Sequence, residues 1–124
     1  MLKIADLTVS EVFLFKEQSH YGRCNVVYKS HGVELHELDA AQRDAFMTDV
    51  AVVAKAIQRV CNPTKINYGA FADKLSHLHM HIVPKYNDGL GFGGTFEMNP
   101  QQTYLSEAAY QDLIGSIKDA LTKG

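Results

Sequence analysis

The chain has 124 residues, of which 46% are hydrophobic and 21% charged, a balance typical of a globular domain with a buried core. Twelve Lys and Arg residues against fourteen Asp and Glu residues give a formal net charge of −2. This charge speaks against a nucleic-acid polymer or an anionic membrane as a general partner. We expect one domain over residues 1–124, with any anion bound by a local site.

The sequence also predicts a cytoplasmic location. The first residues, Met1 to Asp6, lack the apolar segment of a signal peptide, and no apolar run approaches the roughly 18 residues of a membrane-spanning helix. Cys24 and Cys61 lie far apart and form no Cys-x-x-Cys pattern, which predicts reduced thiols and no structural zinc.

The N-terminal part predicts strands over Leu2–Thr8, Glu11–Lys16 and Arg23–Lys29. A long helix follows, with Asp39 as its N-cap and Gln42 in a capping-box position. Its apolar stripe comprises Phe46, Val50, Val53, Ile57 and Val60. The polar face is predicted to hold Arg43, Asp49, Lys55 and Arg59. Asn62-Pro63 ends the helix, because proline has no amide hydrogen and clashes with a continuing helix.

The C-terminal part predicts strands over Thr64–Phe71 and His77–Val83. Gly89 to Gly94 is glycine-rich but matches no common phosphate loop, so we expect a flexible flap or strand crossover. A last helix begins after the N-cap Ser106, with Leu105 and Tyr110 as a hydrophobic staple. These elements predict an α+β fold, an antiparallel sheet of about five strands packed by one long helix plus a C-terminal helix.

The most informative stretch is the strand at His77, His79 and His81, where three histidines alternate with apolar residues. Alternate side chains of a strand share a face, so the three imidazoles stand together, roughly 6–7 Å apart along the strand. A helix would scatter them around its circumference. The pattern therefore predicts a half-buried strand that carries a histidine-lined site.

Three interpretations of this site compete. The first is a sheet face with incidental histidines, although half of the six histidines fall within five residues. The second is a zinc site, since imidazoles at i and i+2 can share a metal ion. The third is nucleophilic, phosphate-binding chemistry by imidazoles that are neutral near pH 7. The spacing alone favours the zinc site and the phosphate-binding site equally.

The surrounding sequence resembles the histidine triad (HIT) family, whose signature is His-φ-His-φ-His-φ-φ with φ apolar. Residues His77 to Val83 match it completely, Pro84-Lys85 follow as in many members, and a weaker resemblance extends from Val12 to Tyr86. The resemblance implies a nucleotide hydrolase or transferase that needs no metal and no cofactor. Its substrates would be nucleoside phosphoramidates, aminoacyl-adenylates or dinucleoside polyphosphates.

The resemblance also assigns roles to the histidines. His79 would attack the α-phosphate and form a covalent nucleotidyl-histidine, which water then hydrolyses. His81 would bind phosphate oxygens, and His77 would support the site. His31 resembles a histidine that buttresses the triad in relatives, whereas His20 and His36 match nothing and are expected on the surface.

Other residues resemble the family's ligand-binding positions. Phe15 would line the base pocket and Glu17 would bond the ribose hydroxyls, although Glu17 also suits a solvated loop charge. Asn67 resembles an upstream polar residue that binds phosphate, although an Asx-type turn after Pro63 explains it nearly as well.

The chain departs from the family at two places. Arg23 follows Gly22 where many relatives have histidine; arginine can bind phosphate but does not exchange a proton at neutral pH. Before the triad the chain has Asp73-Lys74-Leu75-Ser76 in place of Gly-Gln or Gly-Gln-Ser. Ser76 is therefore a candidate phosphate ligand, and Ser76 or Lys74 a candidate to orient or protonate the leaving group.

Two other function classes remain open. One is a nucleotide-binding or scaffolding module of the same fold without turnover, and the other is a metal-dependent hydrolase with the three histidines as ligands. The resemblance further implies a homodimer that binds small AMP or GMP conjugates. Phe92 to Met98, the C-terminal tail and Met47 on the long helix are candidates for the dimer interface.

Overall fold

The computed structural model describes residues 1–71, 73–74, 76–98 and 100–123. Its elements in order are β1 (Leu2–Asp6), β2 (Ser10–Leu14), β3 (Cys24–Tyr28), a 3₁₀ turn (Leu35–Glu37), α1 (Ala40–Cys61), β4 (Lys65–Gly69), β5 (His79–Lys85) and α2 (Glu107–Thr122). The strands form one antiparallel sheet in the order β1-β2-β3-β5-β4. This arrangement confirms the predicted α+β fold.

The triad strand differs from its predicted bounds at both ends. His77 precedes the ladder, but the next residue, Leu78, donates to Gly32 O at 2.9 Å and accepts from Tyr28 N at 3.1 Å. At the other end β5 continues through Pro84, which pairs only with Ile66 of β4. Proline is tolerated there because the ladder with β3 has already ended at Cys24 opposite Ile82.

Helix α1 packs its apolar stripe against one face of the sheet and forms the core. The predicted N-cap is confirmed, since Asp39 Oδ1 accepts from Gln42 N at 2.8 Å. Asn62 ends α1 in a left-handed conformation with φ of 48°, and its N–H donates to Gln58 O. The core brings together Phe46, Val50, Val53 and Ile57 of α1, Leu78 before β5, Met80 and Ile82 of β5, and Tyr110, Leu113 and Ile117 of α2.

The predicted cap of α2 is also confirmed. Ser106 accepts from Ala109 N at 3.1 Å, and Leu105 N donates to the Tyr110 hydroxyl. Among the described residues, neither helix is long and apolar enough to cross a membrane. The single-domain boundary and the cytoplasmic location stay predictions.

The prediction that Asp49 lies on the polar face of α1 is wrong. Its side chain is buried, and its carboxylate accepts from Val9 N at 2.9 Å, from Ser10 Oγ at 2.6 Å and from Thr8 N at 3.3 Å. The turn between β1 and β2 thus gains acceptors for amides that have no sheet partner. Helical periodicity does not reveal such a contact, because the donors lie about forty residues away.

We predict that Asp49→Ala lowers the free energy of unfolding by about 2–4 kcal/mol, because it removes the acceptor of a buried hydroxyl and two backbone amides. Urea denaturation measures the change. Asp44→Ala, at an exposed position of α1, is the matched control and should stay within about 0.5 kcal/mol of the unchanged protein. Equal effects of the two substitutions would contradict the role of Asp49.

Candidate active site

The two faces of β5 have different surroundings. Met80 and Ile82 belong to the core, whereas His79 and His81 project from the opposite face. The rings of His79 and His81 lie with their centroids 5.0 Å apart and are inclined at 73°. His79 is half-buried and His81 is buried, so the predicted histidine face exists and is partly shielded from water.

The His79 ring is held in a single tautomer by the backbone. Its Nδ1 lies 2.8 Å from the carbonyl oxygen of His77. A carbonyl only accepts, so Nδ1 carries the proton and Nε2 keeps its lone pair. The ring of His77 is itself anchored, because its Nε2–H donates to the carbonyl of Tyr28. The lone pair of His79 therefore lies at Nε2, the atom that the predicted nucleophilic role requires.

His81 has the opposite tautomer. Its Nδ1 lies 3.1 Å from Nη2 of Arg23, and a guanidinium only donates, so Nδ1 accepts and Nε2 carries the proton. Burial, the positive charge of Arg23 and the neighbouring His79 together lower the pKa of His81 to about 4. At neutral pH His81 is therefore an uncharged donor next to His79.

Arg23 is a fully buried cation. Its guanidinium lies 3.8 Å from the centroid of the Phe15 ring, and Nη1 donates to the carbonyl of Met98. Burial lowers its pKa to about 10, so it remains charged at neutral pH. In the described part of the chain no carboxylate lies within ion-pair distance of it, and its buried Nε–H has no partner. An anion beside His81 would supply the missing charge.

These groups surround a cavity of about 690 Å³, a size suited to a small organic ligand. Phe71 and Met98 form apolar walls, and Lys74 adds a second cation. Among the described residues the lining is Met1, Phe15, Arg23, Asn25, Val27, Phe71, Asp73, Lys74, His77, His79, His81 and Met98. The structure thus brings together the three triad histidines, Phe15 and Arg23 from the sequence prediction.

Glu17 lies outside that lining. Its buried carboxylate accepts from Ser19 N at 3.1 Å, from Ser19 Oγ at 2.6 Å and from Thr103 N at 2.6 Å. Burial by itself raises the pKa of Glu17, but these hydrogen bonds and the charge of Arg23 lower it overall. In this structure Glu17 joins the loop after β2 to the segment before α2. Its role at the ribose stays a prediction.

The other predicted residues lie around the edge of the site. Asn67 is on the histidine face of the sheet, opposite Val83, but does not line the cavity. Ser76 lines a neighbouring cavity of about 380 Å³, which shares His79 and Asp73 with the first. His31 is exposed and lines neither cavity. The roles of Asn67, Ser76 and His31 stay predictions.

Two polar residues near the site were missed or misplaced by the sequence analysis. Asn25 lines the cavity directly opposite His81, and its only signal is a polar residue in an otherwise apolar strand. His20, expected on the surface, is buried, and its Nε2–H donates to Glu97 O at 2.8 Å. Its partner lies 77 residues away, so no local pattern marks it.

The glycine-rich segment from Gly89 to Gly94, predicted as a flexible flap or a strand crossover, is fastened to β5. The buried ammonium of Lys85 donates to the carbonyls of Gly91 and Gly94. Gly91 and Gly93 have φ of 71° and 97°, a region that favours glycine. The chain then returns to the histidines, and the ring of Phe96 lies 6.5 Å from that of His81. Of the described residues that follow this segment, Met98 lines the cavity.

We predict that His81 titrates near pH 4 and that Arg23→Met raises its midpoint, because the variant loses the adjacent cation. Since the unfolded imidazole binds its proton near pH 6.5, the stability contributed by neutral His81 is lost as pH falls from about 6.5 toward 4. Imidazole NMR measures both the midpoint and the tautomer. Arg59→Met, on the exposed surface of α1, is the control. A proton on Nδ1 of His81 in the unchanged protein would contradict this geometry.

Known proteins resemble this chain in sequence and in fold. A family model described as HIT domain matches residues 6–88, more than half of the chain. Adenosine 5'-monophosphoramidase hnt1 of Schizosaccharomyces pombe is 26% identical over 122 residues, which are 94% of this chain and 89% of that protein. An uncharacterized HIT-like protein of Mycoplasma genitalium is 32% identical over 103 residues, 79% of this chain and 71% of that protein.

Solved structures show the same fold. A histidine triad protein from Bradyrhizobium japonicum superposes with a TM-score of 0.89 at 21% identity, covering 97% of this chain and 90% of that chain. One from Marinobacter aquaeolei VT8 has a TM-score of 0.87 at 16% identity, covering 98% and 88%. With its complete signature and the matching family model, the chain belongs to the histidine triad family.

Proposed function

We propose that the protein is a nucleotide hydrolase or transferase that acts on the α-phosphate of a nucleotide conjugate through a covalent intermediate on His79. The observation that carries this proposal is the pair of opposite tautomers on adjacent rings. His79 offers a lone pair at Nε2, and His81 offers a proton at Nε2. A nucleophile and a donor side by side suit attack on a phosphate whose oxygens gain negative charge.

The reaction would proceed in two displacements. In the first, Nε2 of His79 forms a bond to phosphorus, and the leaving group departs with the electron pair of its own bond to phosphorus. In the second, water attacks the same phosphorus, the bond between phosphorus and Nε2 of His79 breaks, and its electron pair returns to Nε2. The nucleoside monophosphate is released, and a proton from the water leaves with the products.

Charge on the phosphoryl group would be balanced by this chain's own residues. His81 donates one hydrogen bond, and the guanidinium of Arg23 supplies a positive charge that lacks an ion-pair partner in the described part of the chain. Lys74 lines the larger cavity and Ser76 the smaller one, and His79 lines both. This placement supports the predicted contact of Lys74 or Ser76 with the leaving group. Phe15 and Phe71 provide aromatic surface for a base.

Phosphoramidates are the substrate class with additional support, because the fission-yeast relative is an adenosine 5'-monophosphoramidase. Conjugates of AMP or GMP with an amine would fit the cavity beside His79. Aminoacyl-adenylates and dinucleoside polyphosphates present the same α-phosphate and stay within the proposal. The phosphate contact of Asn67 and the buttressing contact of His31 are also kept as proposals.

The covalent route is preferred over a metal-dependent one because of the geometry. Among the described residues, no group of three or more His, Cys, Asp or Glu side chains is arranged to hold a metal ion. Both Nδ1 atoms of His79 and His81 already have protein partners. A non-catalytic binding module is the remaining alternative, and the tautomer of His79 is the feature that binding alone does not require.

We predict that wild type, mixed briefly with adenosine 5'-phosphoramidate and quenched in acid, gains the mass of one adenylyl group. His79→Ala should form no adduct and lose turnover by roughly 10³-fold or more, because the nucleophile is absent. Intact-protein mass spectrometry and product release measure both effects. His36→Ala, at an exposed histidine outside both cavities, is the matched control.

Two outcomes would contradict the proposal. Binding of AMP without an adduct or product would indicate the non-catalytic module. Product formed without an adduct, and lost on addition of a chelator, would indicate a metal-dependent hydrolase.

We also propose a homodimer with an isologous interface. Met47 and Val52 are exposed on α1, and with Ala51 and Leu121 they line an apolar depression of about 430 Å³. Phe92, also expected at the interface, is exposed, which leaves it available to a partner. Light scattering should give twice the mass of one chain, and Met47→Asp should shift the equilibrium toward monomer. A wild-type mass equal to one chain would remove this proposal.

A further inference from the structure

Asn25 is the second residue of β3 and lines the cavity although it is only 4% exposed. Its Oδ1 is buried, with no hydrogen-bond partner in the described part of the chain. Its Nδ2 donates to the thioether sulfur of Met1 at 2.9 Å. Because a thioether is a weak acceptor, neither end of the amide has a strong partner.

An unpaired buried amide is unfavourable for folding, and asparagine is a poor strand residue. Leucine has a similar shape and would avoid both disadvantages at this position. The covering side chain, Met1, is 58% exposed and unbranched, so a ligand can displace it without disturbing the core. The amide is thus a polar group in the cavity whose hydrogen bonds are left for a ligand.

The register of the sheet locates this amide relative to the phosphate. Asn25 is the direct partner of His81, and Val27 is the partner of His79. Side chains opposite each other on antiparallel strands have Cβ atoms about 4.5–5.5 Å apart. A ligand group at Asn25 therefore lies one strand away from a phosphate at His81. In a nucleotide, the group bonded directly to the phosphate is the sugar.

We infer that Asn25 is a specificity-determining residue that binds the two adjacent hydroxyls of a ribose. Oδ1 accepts a hydrogen bond from one hydroxyl, and Nδ2, released from Met1, donates to the oxygen of the other. The predicted ribose contact of Glu17 is a separate proposal, since its carboxylate lies outside the cavity lining and accepts from Ser19 and Thr103. The inference rests on the proposed function and restricts its substrates to ribonucleotide conjugates.

The test compares adenosine 5'-phosphoramidate with its 2',3'-dideoxy analogue in wild type and in Asn25→Leu. Wild type should favour the ribose compound in kcat/KM by about 10- to 100-fold, because the analogue leaves the buried amide unpaired. Asn25→Leu should reduce this preference to about threefold or less, mainly through a lower kcat/KM for the ribose compound. Asn87→Leu, the same exchange at an exposed site outside the cavity, should keep the wild-type ratio.

The outcomes separate this inference from the proposed function. Adduct formation by wild type with equal rates for the two compounds overturns the inference alone and needs no variant. A ribose preference that survives Asn25→Leu overturns it as well. If Asn25→Leu does not fold, Asn25→Val, with a residue that favours strands, takes its place. Failure of wild type to form any adduct or to bind AMP contradicts the proposed function itself.

Discussion

The alternation of side chains along β5 is the constraint on which the site depends. Met80 and Ile82 are buried in the core that α1 covers, so His79 and His81 must face the other way. A slip of one residue in the pairing with β3 would bury the histidines and expose the apolar side chains. The interactions that stabilise the fold therefore also orient His79, the proposed nucleophile, and no loop has to be ordered to place it.

Arg23 connects this strand to Phe15 and to the segment before α2. Its guanidinium fixes the tautomer of His81, lies against the ring of Phe15 and donates to the carbonyl of Met98, which follows the glycine-rich segment. Histidine at this position, as in many relatives, would be smaller and would titrate near neutral pH. Arginine keeps its charge, so the electrostatic field on His81 varies little with pH. The departure from the family pattern thus replaces a titrating group with a permanent charge.

Local sequence patterns predicted the features that depend on neighbours in the chain. The period of two indicated the histidine face, and Asp39 and Ser106 were correctly identified as helix caps because a cap's partners lie within one turn. The features that were missed depend on distant contacts. Asp49 reaches a turn about forty residues away, and Arg23 reaches Met98, 75 residues away. The tautomer of His79 depends on the exact bend of the backbone at His77, which residue types do not specify.

The two unpaired atoms near the site indicate what kind of ligand it is suited to bind. Within the described residues, the buried Nε of Arg23 is a charged donor without a partner, and Oδ1 of Asn25 is a neutral acceptor without one. Both side chains line the same cavity, Asn25 from β3 and Arg23 from the residue just before it. His81 contacts Arg23 and lies opposite Asn25 in the sheet. A sequence selected only for stability would have little reason to leave a charged donor and a neutral acceptor unpaired two residues apart. The complement of that pair is a ligand with an anionic group attached to a hydroxyl-bearing one, which is the chemistry of a ribonucleotide.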